Sequence, residues 1–465
     1  MISRNLILRR TIASNAILKR AKSTSRPPDD STNIEQKVSQ SPMSFEKELK
    51  SRIKLHGPMN ISQFMLEVLS NPRKGYYTTK ENVLGASGDF VTAPEISQMF
   101  GECIAIWMVI LLIFLPILHD LLKIIHVNTF QIHEWRKMGS IKPLNLVELG
   151  PGHATLMQDI LKTIQKLVPQ ELEHISVHLV ETSPTLTKIQ EARLCGYFHN
   201  KPEKSQNDEK AVHEAISKQG PRVTWYSRVA DVPKGFSFFV ANEFFDALPI
   251  HQFVKNPKSK VWEEILIDLN IEKDVLHFVK SPSRGLNNQF VENDNAYRDM
   301  EMVEISPRSG VTIETISERI TQYGGSSLII DYGYSAQCDN DQSDKDEKVR
   351  NTFRAFLKHK LHDPLIDIGQ ADLTADVDFD YLIRKSGPHV ATYGPVTQRQ
   401  FLTQLGIEVR CNLLKENNPK IVEELSKSLD LLISPEGMGH RFKFLCMFPK
   451  TMHEIHSIHP PAGFH

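Results

Sequence analysis

The chain has 465 residues and a formal net charge of −1, with 40% hydrophobic and 24% charged residues. This composition is ordinary for a soluble globular protein, and the length allows two or three domains with sizeable cores. The five cysteines are scattered without a C-x-x-C pair. They indicate neither a disulfide framework nor a zinc site, so we expect reduced thiols and no bound metal.

The first 26 residues contain seven basic residues and no acidic residue. Ile2, Leu6, Arg9 and Arg10 are spaced so that a helix would have one apolar and one basic face. This pattern predicts a mitochondrial transit peptide at residues 1–26, and a basic disordered arm that binds nucleic acid is the alternative. Loss of these seven charges would change the net charge from −1 to −8, which argues against a nucleic-acid partner.

The fold is predicted to begin after a polar linker at residues 27–43. Amphipathic helices are expected at Phe45–His56 and at residues 61–69, the second capped by Asn60. A motif at residues 88–102 follows and reads GDFVTAPEISQMFGE.

An apolar segment at residues 109–131 comes next. The uncharged stretch that leads into it, residues 104–118, has fifteen residues. A bilayer-spanning helix needs roughly 20 apolar residues, so we expect no stable membrane span, and a membrane anchor is the alternative.

The central motif of the chain is a strand, a glycine turn and a helix at residues 144–161, which read LNLVELGPGHATLMQDIL. A turn of this kind brings the backbone close to a ligand and aims the N-terminus of the helix at it. Thr155 occupies the position where a dinucleotide-binding fingerprint has its third glycine. An acid in the strand, Glu148, followed by Gly150 and Gly152 is instead similar to the first motif of class I S-adenosylmethionine-dependent methyltransferases. A strand–helix turn without a ligand is the alternative.

Further strands are predicted at residues 175–180, 223–226, 237–241 and 327–330. Because strands alternate with helices, the sequence predicts a doubly wound parallel α/β sheet whose ligands lie at the carboxyl ends of the strands. Glu181 follows the second strand, where a carboxylate can accept two hydrogen bonds from a ribose diol.

Four motifs carry a resemblance to a known family: GDFVTAPEISQMFGE, VELGPG, ANEFFDALPIH and IDYGY. Together they resemble the MidA-type family of mitochondrial complex I assembly factors, over roughly residues 44–108 and 133–450. The resemblance implies a class I methyltransferase (Rossmann-like) fold. We expect this fold to carry an N-terminal helical cap and, from the strand-like runs at residues 261–269 and 275–279, an insertion between strands four and five. The resemblance also implies S-adenosylmethionine as methyl donor, with Asp89 and Pro94 in a segment that covers this cofactor. The implied reaction is symmetric dimethylation of an arginine on a complex I matrix-arm iron–sulfur subunit, in the mitochondrial matrix.

The acceptor site is predicted at the end of the fourth strand. A guanidinium pocket needs carboxylates that clamp the planar cation, and Glu243, Asp246 and Asn242 have the required composition. The alternative is that Asn242 or Asp246 only caps a helix. Two other functions stay open: a non-catalytic complex I assembly chaperone on a methyltransferase fold, and a small-molecule methyltransferase.

Residues 109–131 depart from the family, which would run from Met108 almost directly to His133. Our hypothesis is a retained intron, because translated AT-rich sequence is rich in Ile, Leu, Phe and Asn and the inserted length preserves the reading frame. Abundant transcripts that encode all 23 residues would contradict it.

Two features in the C-terminal part of the chain each allow a functional and a structural interpretation. The run at residues 372–379 (DLTADVDF) also matches the family, and its acids either face the substrate or form a strand edge or helix cap. His453, His456 and His459 could bind a metal, but a frayed terminus is favoured. The predicted segments are the transit peptide 1–26, the linker 27–43, the cap 44–108, the insertion 109–131, the core 140–250 plus 321–450, the lid 251–320 and the tail 451–465.

Overall fold

The protein is built around a mixed β-sheet. The computed structural model describes residues 43–80, 85, 88, 91–124, 143–196, 210–338 and 349–465, with residues 112–124 as backbone only. The described strands are β1 Met59–Asn60, β2 Leu144–Leu149, β3 Ile175–Val180, β4 His213–Ile216, β5 Arg222–Tyr226, β6 Ser237–Asn242, β7 His251–Lys255, β8 Trp262–Asn270, β9 Val275–Lys280, β10 Met302–Ile305, β11 Gly325–Tyr334, β12 Arg354–Leu357, β13 Lys360–His362, β14 Asp372–Thr374, β15 Val377–Asp378, β16 Val390–Thr397 and β17 Phe442–Pro449.

The described α-helices lie before, between and after these strands along the chain. They are α1 Phe45–His56, α2 Ile61–Ser70, α3 Tyr76–Thr79, α4 Ala93–Ile96, α5 Gln98–Ile124, α6 Thr155–Leu167, α7 Pro184–Leu194, α8 Gln289–Glu292, α9 Pro307–Tyr323, α10 Phe379–Ser386, α11 Gln398–Gln404, α12 Ile407–Asn417, α13 Val422–Ile433 and α14 His453–Ile458. Ser44–His465 form one compact unit.

The central sheet has the strand order β16-β17-β11-β6-β2-β3-β5-β4. Strands β5, β3, β2, β6 and β11 are parallel, whereas β17 runs antiparallel to both β11 and β16. The chain order reverses at β2, which pairs with β3 on one side and β6 on the other, so a ligand crevice is expected at this point. The five predicted strands and the doubly wound parallel sheet are confirmed.

Neighbouring residues of β2 enter different cores. Leu146 belongs to the same core as Ile160 of α6, and Val147 belongs to the same core as Ile313 of α9. Since successive side chains of a strand point to opposite faces, the sheet is covered by helices on both sides. That is why all six residues of β2 are buried and four of them are apolar.

Strand β4 is not among the predicted strands, because residues 197–220 are mostly polar. Residues 197–209 lie outside the described part, but β4 pairs antiparallel with β5 at the edge of the sheet. An edge strand with one exposed face needs no apolar run, so the sequence gives little signal for it.

The N-terminal cap packs on a second, smaller sheet with the order β1-β8-β7-β10, in which β9 also pairs with β8. Helices α1 and α2 share a core with Ile267 of β8. The predicted cap of α2 is confirmed, because the side chain of Asn60 accepts a hydrogen bond from the Gln63 amide at 2.8 Å. A third sheet, β13-β12-β14, adjoins the cap.

The first part of the apolar segment at residues 109–131 belongs to the preceding helix. Helix α5 continues into this segment as far as Ile124, and the side chains of Val109 and Leu111 are buried. Among the residues described with their side chains, no helix is long and apolar enough to cross a membrane.

The C-terminal tail is packed, so the prediction of a frayed terminus was wrong. His456 of α14 lies against the rings of Phe448 and Tyr393, with centroid distances of 4.4 and 5.1 Å. Burial lowers the pKa of His456 to about 4. The described residues contain no cluster of side chains that could hold a metal, and all five cysteines are unpaired.

Candidate active site

The glycine turn after β2 forms the floor of the site. Gly150, Gly152 and Ala154 all have positive φ, at 61°, 52° and 58°. A Cβ atom on Gly150 would lie 2.7 Å from the Phe244 ring, so the turn packs directly against the end of β6. Helix α6 begins after Ala154 without a side-chain cap, which leaves its first backbone amides available to a ligand.

Glu148 lies in β2, immediately before this turn. Its side chain is buried, and its Oε2 has no hydrogen-bond partner among the described residues. Burial raises the pKa of Glu148 to about 8. A buried acceptor without a donor is costly, so this oxygen is suited to a ligand N–H group.

Glu181, at the end of β3, is held on both carboxylate oxygens. Oε1 accepts from the backbone amides of Thr182 and Ser183 at 2.8 and 2.7 Å, and Oε2 accepts from Gln190 Nε2 at 2.9 Å. Burial raises the pKa of Glu181, and these three donors partly offset that effect. The carboxylate is therefore fixed before any ligand arrives.

The covering motif is tied to the glycine turn through Glu95 of α4. Thr155 Oγ1 donates to Glu95 Oε1, which also lies 3.6 Å from His153 Nδ1 and 3.5 Å from Arg193 Nη1. Burial by itself raises the pKa of Glu95, but the His153, Thr155 and Arg193 contacts outweigh it and lower that pKa. Pro94 and Glu95 line the cavity described below.

Glu243 directly follows β6, and its backbone is in the left-handed region, with φ 50°. Its Oε1 accepts from the Ala93 amide at 3.0 Å and from Asn242 Nδ2 at 3.3 Å. Oε2 of Glu243 and Oδ1 of Asn242 are buried without partners among the described residues. Burial raises the pKa of Glu243 to about 8, and the nearby charge of Asp246 adds to the effect.

Asp246 points away from this pair. Its Oδ2 accepts from Tyr332 OH at 2.6 Å and from Thr374 Oγ1 at 2.9 Å, and its Oδ1 has no partner among the described residues. Burial raises the pKa of Asp246, although both donors oppose the change. Asp246 is not among the residues that line the cavity, so it borders the site from behind Glu243.

Asp331, at the end of the fifth predicted strand, organises the turn that carries Glu243. Its Oδ2 accepts from the backbone amides of Phe244, Phe245 and Asp246 at 3.2, 3.0 and 3.3 Å. Asp331 belongs to the IDYGY motif, but the sequence gives it no separate role. Its partners are 85 to 87 residues away along the chain, so no local pattern reveals them.

One cavity of about 880 Å³ joins these parts. Asp89 lies outside the described residues, and every other predicted site residue except Asp246 lines this cavity. The predicted residues that line it are Glu148, Gly150, Gly152, Glu181, Pro94, Asn242 and Glu243.

The late acidic run has structural partners. Asp376 pairs with Arg354 at 2.6 Å and with Arg441 at 2.8 Å, and Asp378 caps α10 by accepting from the Tyr381 amide. Asp372 accepts from Tyr77 OH at 2.9 Å. None of the three acids is among the residues that line the cavity, so these contacts favour the structural interpretation.

Comparisons with known proteins find methyltransferases. The model of a family described as "Putative S-adenosyl-L-methionine-dependent methyltransferase" matches residues 129–396. The human "Protein arginine methyltransferase NDUFAF7, mitochondrial" is 40% identical over 407 residues, which are 86% of this chain and 82% of that protein. The Drosophila melanogaster "Protein arginine methyltransferase NDUFAF7 homolog, mitochondrial" is 37% identical over 450 residues, 94% of this chain and 92% of the homologue. A crystal structure from Burkholderia thailandensis, bound to S-adenosyl-homocysteine, has a TM-score of 0.62 and 20% identity and covers 88% of this chain and 94% of its own.

Proposed function

The chain belongs to the MidA-type family of S-adenosylmethionine-dependent methyltransferases, and on this premise we propose that it methylates arginine side chains of a mitochondrial protein. The predicted class I methyltransferase fold and S-adenosylmethionine as methyl donor are both confirmed. The proposed product is symmetric dimethylarginine on a complex I matrix-arm iron–sulfur subunit, formed in the mitochondrial matrix and needed for complex I assembly. Supporting this, the relatives are named mitochondrial protein arginine methyltransferases.

The observation that carries the proposal is a set of buried acceptor oxygens without donors. Glu148 Oε2, Asn242 Oδ1 and Glu243 Oε2 all belong to residues that line one cavity. A ligand that fits them must bring several N–H groups and positive charge, since unpaired buried acceptors are expensive. A guanidinium is planar, always charged and carries five N–H donors, so it matches the acceptor side of this set.

The donor half of the cavity fits S-adenosylmethionine. Glu148 offers an unpaired acceptor for its amino group, and Glu181 offers a fixed carboxylate for its ribose diol. When bound, the cofactor supplies an electrophilic methyl group. We propose that the glycine turn at Gly150 and Gly152 holds its methionine part, with Pro94 and the segment around it as the cover.

On the acceptor side we propose that Glu243 is the catalytic carboxylate. In the free protein its raised pKa keeps much of it protonated near neutral pH. A guanidinium that binds beside it favours the carboxylate form, which then pairs with the cation, orients a nitrogen lone pair and removes the proton that the methylated nitrogen must lose. Asn242 would orient the Glu243 carboxylate, and Asp246 would add negative charge from behind it.

We also propose the segment boundaries predicted from the sequence, including the transit peptide 1–26 and the insertion 251–320 as a wall of the substrate site. Supporting the wall, Pro307 and Arg308 line the cavity next to Val311 and Thr312 at the start of α9. The names of the relatives support a mitochondrial location, and the matrix is the finer location that we propose.

The test is methylation of the complex I matrix arm with labelled S-adenosylmethionine, followed by mass spectrometry of its arginine residues. The expected result is symmetric dimethylarginine on one iron–sulfur subunit with the parent chain and its loss with Glu243→Gln. Glu264→Gln is the matched control, because Glu264 is also a buried strand-associated acid but is bound to His251 and Asn287 away from the cavity. Normal complex I assembly without any detectable methylation would contradict the proposal and favour a chaperone.

A further inference from the structure

We infer that Gln190 is a positioning residue for the methyl donor, which it serves by fixing Glu181 and the glycine turn relative to each other. The inference rests on the proposed ribose-binding role of Glu181. Gln190 lies on α7 and is fully buried, and it is not among the residues that line the cavity. It therefore acts through its neighbours and not by contact with a ligand.

The side-chain amide of Gln190 connects three separate elements. Nε2 donates to the Gly152 carbonyl at 2.8 Å and to Glu181 Oε2 at 2.9 Å, and Oε1 accepts from Trp225 Nε1 at 2.8 Å. Gly152 belongs to the turn after β2, Glu181 ends β3, and Trp225 lies in β5. One amide thus links the segments that follow two neighbouring strands, β2 and β3.

The partners also determine which way the amide faces. An indole N–H can only donate, whereas a carbonyl and a carboxylate can only accept. If the amide were turned around, its NH₂ group would face the indole N–H of Trp225, which is also a donor. Its oxygen would then face the Gly152 carbonyl and the Glu181 carboxylate, which are also acceptors. Trp225 therefore orients Gln190, and Gln190 in turn orients the Glu181 carboxylate.

These hydrogen bonds leave the Glu181 carboxylate little acceptor capacity for a ligand. Its Oε1 is occupied by the Thr182 and Ser183 amides, and its Oε2 already has Gln190 on one side. The acceptor capacity that remains faces the cavity, which Glu181 lines. A diol that binds there meets a carboxylate whose position has already been fixed, so little ordering is needed on binding.

The experiment measures affinity of the full chain for S-adenosylhomocysteine by calorimetry. Gln190→Met keeps the length and the apolar stem but removes the amide, and we expect binding to weaken roughly tenfold. With an S-adenosylhomocysteine analogue that lacks both ribose hydroxyls, the same substitution should change the affinity much less. Gln398→Met is the control, because Gln398 is also fully buried and donates to the Leu432 carbonyl, away from the cavity.

A double-mutant cycle separates this inference from the site on which it rests. If Gln190 acts through Glu181, Gln190→Met should add little to the loss caused by Glu181→Ala. An equal loss for the two ligands, or fully additive losses in the cycle, would mean that Gln190 only stabilises the fold and would overturn the inference. If Glu181→Ala alone left the affinity unchanged, the ribose assignment would fail and the inference with it. If Gln190→Met left the affinity unchanged while Glu181→Ala weakened it, the inference about Gln190 would be overturned, but the ribose assignment would stand.

A second variant keeps the test valid if Gln190→Met does not fold. Trp225→Phe leaves Gln190 in place but removes the N–H that orients its amide. We expect a smaller loss in the same direction, again reduced for the analogue without the diol. An unchanged affinity in a folded Trp225→Phe variant would contradict the orienting role.

Discussion

At the end of β3, the carboxylate of Glu181 accepts hydrogen bonds from three donors and uses both of its oxygens. At the end of β6, the carboxylate of Glu243 uses only Oε1, and Oε2 is buried without a partner among the described residues. Both groups line the same cavity and both have a pKa raised by burial. The carboxylate proposed for the ribose is thus fully held before binding, whereas the carboxylate on the acceptor side lacks a cation.

The difference follows from what each side has to recognise. A ribose diol is neutral, so the carboxylate that binds it must be stabilised by the protein itself. A guanidinium brings its own charge and donors, so carboxylates that bind it can stay unsatisfied until it arrives. The arrangement favours a cationic acceptor over a neutral one, and each prediction below tests one side of the comparison.

The largest effect is expected on the donor side from Gly152→Val. Gly152 has φ 52°, where a branched side chain is strained, and the side chain would enter the space proposed for the methionine part of the donor. We expect no measurable binding of S-adenosylmethionine by calorimetry. Gly387→Val is the control, because Gly387 has φ 79° and nothing within 4 Å of an added Cβ, so it reports the backbone strain alone. Parent-like affinity in Gly152→Val would show that the donor lies elsewhere.

The acceptor side should respond to Glu243→Gln through turnover and not through donor binding. The substitution keeps the shape of the side chain but removes the base and the charge that pairs with the guanidinium. General-base catalysis contributes roughly a hundredfold to ten-thousandfold, so we expect a loss of that order in arginine methylation. The affinity for S-adenosylmethionine should stay near that of the parent. Full dimethylation by this variant would contradict the assignment and would direct attention to Asp246 or Asp89.

Glu181→Ala should weaken donor binding by roughly ten- to a hundredfold, because one hydrogen-bonding charged group is lost. S-adenosylmethionine and S-adenosylhomocysteine carry the same diol, so their affinities should fall by the same factor. Calorimetry with both ligands measures this. If the two affinities fell by different factors, Glu181 would lie near the sulfur and not at the ribose. The difference between the donor side and the acceptor side would then no longer hold.

The donor side could be predicted from the sequence because its signals are local. Glu148, Gly150 and Gly152 lie within five residues, and Glu181 directly follows an apolar run of strand length. Parallel strands then bring their ends to one edge of the sheet without further information. Gln190 gave no such signal, since a single polar residue in a helix has no distinctive pattern.

The acceptor side could be predicted only in part, because its geometry depends on contacts between distant residues. The positive φ of Glu243 and the amides bound by Asp331 determine how the turn runs. This turn directs Asp246 to Tyr332 and Thr374, although only three positions separate it from Glu243. The composition of the motif identified the right segment but not which of its two acids lines the cavity.

The most gradual effect is expected in the pH dependence of stability, and it tests the unsatisfied state of Glu243. Burial raises the pKa of this group from 4.5 to about 8, so between these pH values the folded protein binds more protons than the unfolded chain. The free energy of unfolding of the ligand-free protein should therefore fall as pH rises from about 4.5 to 8, by at most about 1.4 kcal/mol per pH unit for this group. Glu243→Gln cannot titrate, so chemical denaturation across this range should show a shallower fall, whereas Glu424→Gln on the exposed face of α13 should leave the slope unchanged. The affinity for an arginine peptide should change in the opposite direction and rise with pH, because the cation binds the ionised carboxylate. Identical slopes for the parent and Glu243→Gln would mean that Glu243 is already ionised and partnered, as Glu181 is partnered on the donor side.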